Sequence, residues 1–121
     1  MDKNIFGDPL MTCSNDPLTG YFRNGCCDSD DTDYGMHTVC IVATKDFLEF
    51  SKEVGNDLST PVPEFNFDGV KPGDRWCLCA LRWKEAFVNK KAPKVFLEGT
   101  NEKTLEVIDI NDLISHAYKK V

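Results

Sequence analysis

The chain mixes stretches of regular apolar spacing with stretches that have none. Residues 38–43, Thr-Val-Cys-Ile-Val-Ala, form an unbroken β-branched and apolar run, the pattern of a buried strand. Thr44 follows in the position of an N-cap. The spacing of Phe47, Phe50 and Val54, with Leu48 and Ser51 alongside, predicts a helix from Lys45 to Val54 ended by Gly55. Arg75 to Ala80 predicts a second strand. Leu81 to Lys90 predicts a second helix with Trp83, Phe87 and Ala86 inward, broken by Ala92-Pro93. Lys94 to Glu98 predicts a third strand, and Glu102 to Val107 fits either a helix end or a short strand. Asn111 is placed to cap a last helix, Asp112 to Lys119, with Leu113, Ile114, Ala117 and Tyr118 on its apolar side. Asp112 in its first turn and Lys119-Lys120 in its last would suit the helix dipole.

The first third, to Asp33, lacks such a period. Asp8-Pro9, Asp16-Pro17 and Asn24-Gly25 are turn signals. Asn24-Gly25, between Tyr21-Phe22-Arg23 and Cys26-Cys27, matches a two-residue type I′ hairpin, with the two cysteines pointing to opposite faces. A second aperiodic stretch, Asn56 to Asp74, contains Pro61, Pro63 and Pro72, and its Phe65 and Phe67 are the expected anchors. Lys71-Pro72-Gly73-Asp74 fits a type II turn. Strands and helices without a regular βαβ rhythm predict an α+β fold: a single compact two-layer domain over residues 1–121, with a small mixed or antiparallel sheet, about three helices and long turn-rich loops.

Composition narrows the function classes. The 14 Lys and Arg against 20 Asp and Glu give a formal charge of −6. The basic clusters Lys90-Lys91 and Lys119-Lys120 are too small for a phosphate-binding stripe, so no nucleic-acid partner is expected. No apolar run reaches the roughly 18 residues of a membrane span, and no apolar stretch follows a basic N-terminus. The expectation is no membrane partner and a cytoplasmic location, where thiols stay reduced. Asp28, Asp30, Asp31 and Asp33 crowd into six residues. They miss the calcium-loop template, whose sixth position needs Gly and twelfth Glu where Asp33 and Val39 stand, so a solvated acidic loop is the preferred reading.

Six cysteines, Cys13, Cys26, Cys27, Cys40, Cys77 and Cys79, carry the candidate chemistry. The expected compartment favours free buried or semi-buried thiols over metal ligands, and metal ligands over disulfides. Cys77 and Cys79, two apart on a strand, share one face; the arrangement suits a soft ion, a dithiol–disulfide pair or two small core side chains. His37 and Cys40, three apart, would fall on opposite faces of a regular strand. A zinc site would draw four ligands from Cys13, Cys26, Cys27, His37, Cys40, Cys77 and Cys79, but the paired Cys-x-x-Cys knuckles are missing, so no cofactor is expected and zinc remains the alternative. A vicinal Cys26–Cys27 disulfide is disfavoured by ring strain. His37 is the one candidate base, since His116 falls within the last predicted helix. The catalytic candidates are therefore Cys77 or Cys79, or Cys26 or Cys27, with His37. Asn56-Asp57 and Asp74-Arg75 bracket the long loop as a natural pocket rim, and Arg75 suits an anionic ligand such as a carboxylate.

The strings NDPLTGYFRNGCC, HTVCIVAT, FLEFSKEVGNDLSTPVPEF and KPGDRWCLCALRWKEA resemble domain of unknown function family 2237. The resemblance runs from about Asn4 to Ala117 and implies a compact two-layer α+β domain with no activity to carry over. Matching positions include Cys13, Arg23, Cys26, Cys27, His37, Cys40, Asn56, Asp57, Pro61, Pro63, Arg75, Trp76, Cys77, Cys79, Arg82 and Trp83. The chain departs from the family at Asn24, where an aspartate is typical, and at Thr100-Asn101-Glu102, where Thr-His-Glu is typical. The second departure leaves His37 alone to supply any imidazole chemistry.

These readings converge on a module that binds a small molecule or a protein in a pocket lined by Cys, His, Arg and Trp. The binding candidates are Arg23, Cys26, Cys27, His37, Asn56, Asp57, Arg75, Trp76 and Arg82. The alternatives are a thiol-based enzyme or redox protein and a structural zinc domain.

Overall fold

The computed structural model describes residues 2–118. Three antiparallel strands form the sheet: β1 (His37–Val42), β2 (Arg75–Cys79) and β3 (Lys94–Val95), in the order β2-β1-β3. The helices are α1 (Lys45–Glu53), α2 (Ala80–Val88) and α3 (Ile110–Ser115). This is the expected α+β architecture, with the sheet in its antiparallel form.

The central strand is apolar on both faces because both are covered. On one face, Val39, Ile41, Trp76 and Leu78 join Phe47 and Leu48 of α1 and Ala80, Trp83 and Ala86 of α2 in one buried cluster. Thr44 caps α1 through its side chain, which accepts from the Phe47 N–H. The indole N–H of Trp83 donates to the Pro93 carbonyl, so this large buried ring leaves no orphan donor. On the other face lies a smaller cluster of Cys13, Cys27, Cys40 and Cys77 with Phe96. The N-terminal third covers that face.

The register contains the decisive irregularity. Cys40 pairs with Cys77 and Val39 with Leu78, but His37 pairs with Cys79, so Thr38 is an extra residue in β1. A bulge shifts the side-chain alternation by one. His37 and Cys40 therefore share a face with Cys77 and Cys79, against the expectation that their spacing would separate them.

Other differences have local causes. The hairpin at Asn24-Gly25 does not form. A type I′ turn needs positive φ at both central residues, and here Arg23 and Gly25 adopt it while Asn24 does not. Asn24 instead accepts from the Cys26 N–H and donates to Asp28, while the Gly25 carbonyl receives Cys13 and Ser14. Gly25 packs so closely on Asn15 that no Cβ fits. Phe67 packs on Trp76, with ring centroids 5.4 Å apart, but Phe65 is 81% exposed and anchors nothing. It ends a short 3-10 turn, Pro63–Phe65, that turns back through Asn66 at positive φ.

β3 stops after two residues, because the chain enters a 3-10 turn at Leu97–Gly99. The ambiguous stretch is also 3-10, Glu102–Glu106. The last helix is capped by Asp109 rather than Asn111 and ends at Ser115, leaving Ile114 and Tyr118 substantially exposed. The dipole role read for Lys119-Lys120 lies outside the described residues. His116 follows α3, its ring edge-on to Trp83 and Phe87, a packing role.

Candidate functional site

The N-terminal third is tied down where it has no periodic structure of its own. Cys13 is disulfide-bonded to Cys40, and Cys27 to Cys77, with Cα–Cα separations of 5.7 and 5.3 Å. This corrects the expectation of free thiols. Expected redox compartment decided that reading, whereas the fold brings these four side chains together in a buried cluster. It also rules out a Cys77–Cys79 pair and a vicinal Cys26–Cys27 bond in this state, since Cys26 and Cys79 are the two free thiols. Hydrogen bonds complete the attachment: Ile5 N–H to Thr100, Met11 N–H to Glu98, and the buried Asn101 side-chain amide to Asp2 and to the Cys27 carbonyl.

A cavity of about 530 Å³ opens beside β2, an edge strand. Gly20, Tyr21 and Arg23 line it from the N-terminal turns, Asn56 and Leu58 from the long loop, Trp76 to Cys79 from β2, Arg82 from α2 and His37 from β1. Among the described residues, no carboxylate lines it. The contrast is local: a cavity of about 410 Å³ beside the cis Asp16-Pro17 peptide has Asp16, Asp68 and Asp74 in its wall. Arg23 lies over the Trp76 ring, 5.4 Å from its centroid, and donates to the Gly20 carbonyl. Arg82 makes a half-exposed ion pair with Glu85 at 3.2 Å.

His37 is held in a defined orientation. Its Nδ1 lies 2.7 Å from Asp33 Oδ1, while Asp33 Oδ2 accepts from the His37 N–H and from the Ser29 hydroxyl. The Asp33 side chain is fully buried and the imidazole 41% exposed. A carboxylate can only accept here, so Nδ1 donates to Asp33 and Nε2 is the ring nitrogen left for other partners. The ring stacks at 22° on Tyr21. Gly35 is required beneath it, because a Cβ there would meet the imidazole carbon at 2.8 Å.

Cys79 stands directly across the strand from His37 and is half-buried on the cavity wall. Directly opposed side chains share a face with Cβ atoms about 5 Å apart. Cys79 is also the N-cap of α2, where the helix dipole favours negative charge.

Of the sequence-derived candidates, Arg23, His37, Asn56, Trp76, Cys77, Cys79 and Arg82 line one cavity. Four others do not. Cys27 is buried in its disulfide. Cys26 contacts Thr12. Asp57 organises its own loop by accepting from Ser59 and Thr60, and the Thr60 hydroxyl is the main cause holding its carboxyl down at about 2. Arg75, at the far end of β2, stacks on Phe96 at 4.1 Å. The acidic pattern reads Asp33 as part of a solvated loop, and it is instead the buried partner of His37. Its spacing of four from His37, across Gly35, was the available signal.

Residues 3–117 match the family described as uncharacterized protein conserved in bacteria (DUF2237). The chain belongs to this family. No match was found among curated proteins. Among the described residues, no helix is long and apolar enough to cross a membrane.

Proposed function

We propose that the cavity beside β2 binds a small anionic molecule, such as a carboxylate. The observation that supports this is the lining: Arg23, which has no carboxylate partner among the described residues, stands beside Arg82 and His37, whose partners Glu85 and Asp33 lie outside the cavity wall, in a chain of net charge −6. Clefts of one charge sign raise the local concentration of ligands of the other sign. Guanidinium groups match carboxylate geometry, and the Trp76 and Leu58 surfaces give the rest of a ligand apolar contact. Calorimetric titration with a panel of mono- and dicarboxylates tests it. Binding should weaken at least tenfold in Arg23→Gln/Arg82→Gln, and equal affinity in the double variant would end the proposal.

A second reading, thiol chemistry on that ligand, is favoured by the alignment of Cys79, His37 and Asp33. His37 Nε2 takes the Cys79 thiol proton, the thiolate attacks an electrophilic carbon, and the imidazolium returns the proton to the leaving group. Alkylation mapped by mass spectrometry tests both readings together. Cys79 should react faster than Cys26, and should prefer iodoacetate to neutral iodoacetamide relative to Cys26. A preference that is the same at both thiols would remove the anion selectivity. A Cys79 rate unchanged in His37→Gln would remove the base.

A further inference from the structure

The four disulfide cysteines form one node rather than two separate staples. The sulfur atoms of Cys13, Cys27 and Cys77 all lie within 4.8 Å of one another. The fourth, on Cys40, is bonded to Cys13, and Cys40 stands directly across the sheet from Cys77. All four side chains are essentially buried, at 0 to 3% exposure. Two come from adjacent strands of a rigid sheet and two from the turns packed over them.

We propose that, once both disulfides are reduced, these four cysteines bind a soft divalent metal ion such as zinc in a tetrahedral all-thiolate site. A zinc–sulfur bond of about 2.3 Å requires sulfurs roughly 3.8 Å apart around the ion. That separation falls between the bonded pairs and the 4.8 Å within which the Cys13, Cys27 and Cys77 sulfurs already lie, and the Cys40 sulfur, freed from Cys13, must swing toward the other two. Conversion therefore calls for side-chain adjustment, while the strand register that places Cys40 beside Cys77 can stay. Knuckle spacing is one way to bring thiols together, and cross-strand pairing is another.

The electron balance is explicit. Each disulfide takes two electrons and two protons from a thiol or phosphine reductant, giving four thiols in all. Each thiol that ligates zinc then releases its proton to solvent. Reoxidation by a disulfide or peroxide oxidant would re-form the two bonds and expel the ion. The site shares Cys77 with the wall of the anion cavity, but neither the guanidinium groups of Arg23 and Arg82 nor the free thiols Cys26 and Cys79 take part in it.

The full chain is reduced with a phosphine under nitrogen, freed of reductant, loaded with zinc or cobalt(II), desalted and analysed for metal. About one equivalent should stay with the reduced protein and almost none with the oxidised protein. Cobalt should give the intense visible bands of a tetrahedral thiolate site. Maleimide labelling mapped by mass spectrometry should show zinc-dependent protection of Cys13, Cys27, Cys40 and Cys77, with Cys26 and Cys79 still labelled. The Cys26→Ser/Cys79→Ser variant should bind metal as the parent does. No retained metal, protection confined to Cys26 and Cys79, or loss of metal in that variant would each overturn the proposal. The first three readouts use the parent chain, so the folding of a variant does not limit the test.

Discussion

The two faces of the sheet are sealed in different ways. One is covered by α1 and α2, whose buried aromatic and aliphatic side chains form one continuous apolar core with Val39, Ile41 and Leu78. The other is covered by turns that contribute little apolar area, and there two disulfides and side-chain-to-backbone hydrogen bonds hold the layer. Helices bury area in proportion to their apolar stripe. Aperiodic turns have no stripe, so cross-links and satisfied polar groups replace it. The candidate site lies where the two kinds of layer meet. Its Trp76 and Arg82 belong to the helix-packed body, and its Gly20, Tyr21 and Arg23 to the cross-linked layer.

The sharpest way to break this contrast is Trp83→Ala. The ring is fully buried, so the loss of stability should be about 3–5 kcal/mol. Denaturant unfolding should show the whole chain affected, in a single transition. Next is Cys27→Ser/Cys77→Ser, which opens a cross-link between residues 50 apart. The expected loss is about 2–4 kcal/mol under oxidising conditions, and far less when parent and variant are both reduced. Limited proteolysis should then cut the N-terminal third before the helical body. Cleavage within α1 or α2 first would erase the distinction between the layers.

A smaller effect is expected at Asp33→Asn, which removes the buried carboxylate between Ser29 and His37. Stability should fall by about 1–3 kcal/mol, and the pH profile of Cys79 alkylation should shift while that of Cys26 stays. Gly35→Ala should repeat the shift with the carboxylate intact, because a Cβ there pushes on the imidazole. The smallest effect is a pH effect at Asp57, in the long loop. Its carboxyl is held at about 2 against an ordinary 3.8, chiefly by the Thr60 hydroxyl. A depressed carboxyl stabilises the fold above its unfolded value, and that contribution is lost as pH falls through the folded one. The Ser59 and Thr60 amide resonances should therefore hold constant above about pH 4 and move at lower pH with a midpoint at about 2.

Legibility in the sequence followed the same division. The start of α1, its Thr44 cap and the inward positions of Trp83 and Ala86 were readable because helix burial repeats every 3.6 residues. The turn at Lys71–Asp74 was readable because Gly73 supplies its positive φ. The pocket candidates Arg23, His37, Asn56, Trp76, Cys79 and Arg82, which follow from the expected hairpin, the long loop, the Arg75–Trp83 segment and the family resemblance, line one cavity. Asp57 and Arg75 were named on the same grounds and lie outside it, since each found a nearer partner in Thr60 and Phe96. Asp33 was hidden by its acidic neighbours, which made a buried carboxylate look like a solvated one.

The α+β class, the family, the Thr44 cap of α1 and the Lys71–Asp74 turn follow from the chain's own residues, because period, caps and turn residues act over a few positions. Tertiary structure decided which cysteines bond, which carboxylate orients the imidazole and which face His37 occupies. These depend on contacts between segments tens of residues apart and on one inserted residue, Thr38, in the register of β1. A strand's alternation can be read locally, but a bulge exists only relative to the partner strand.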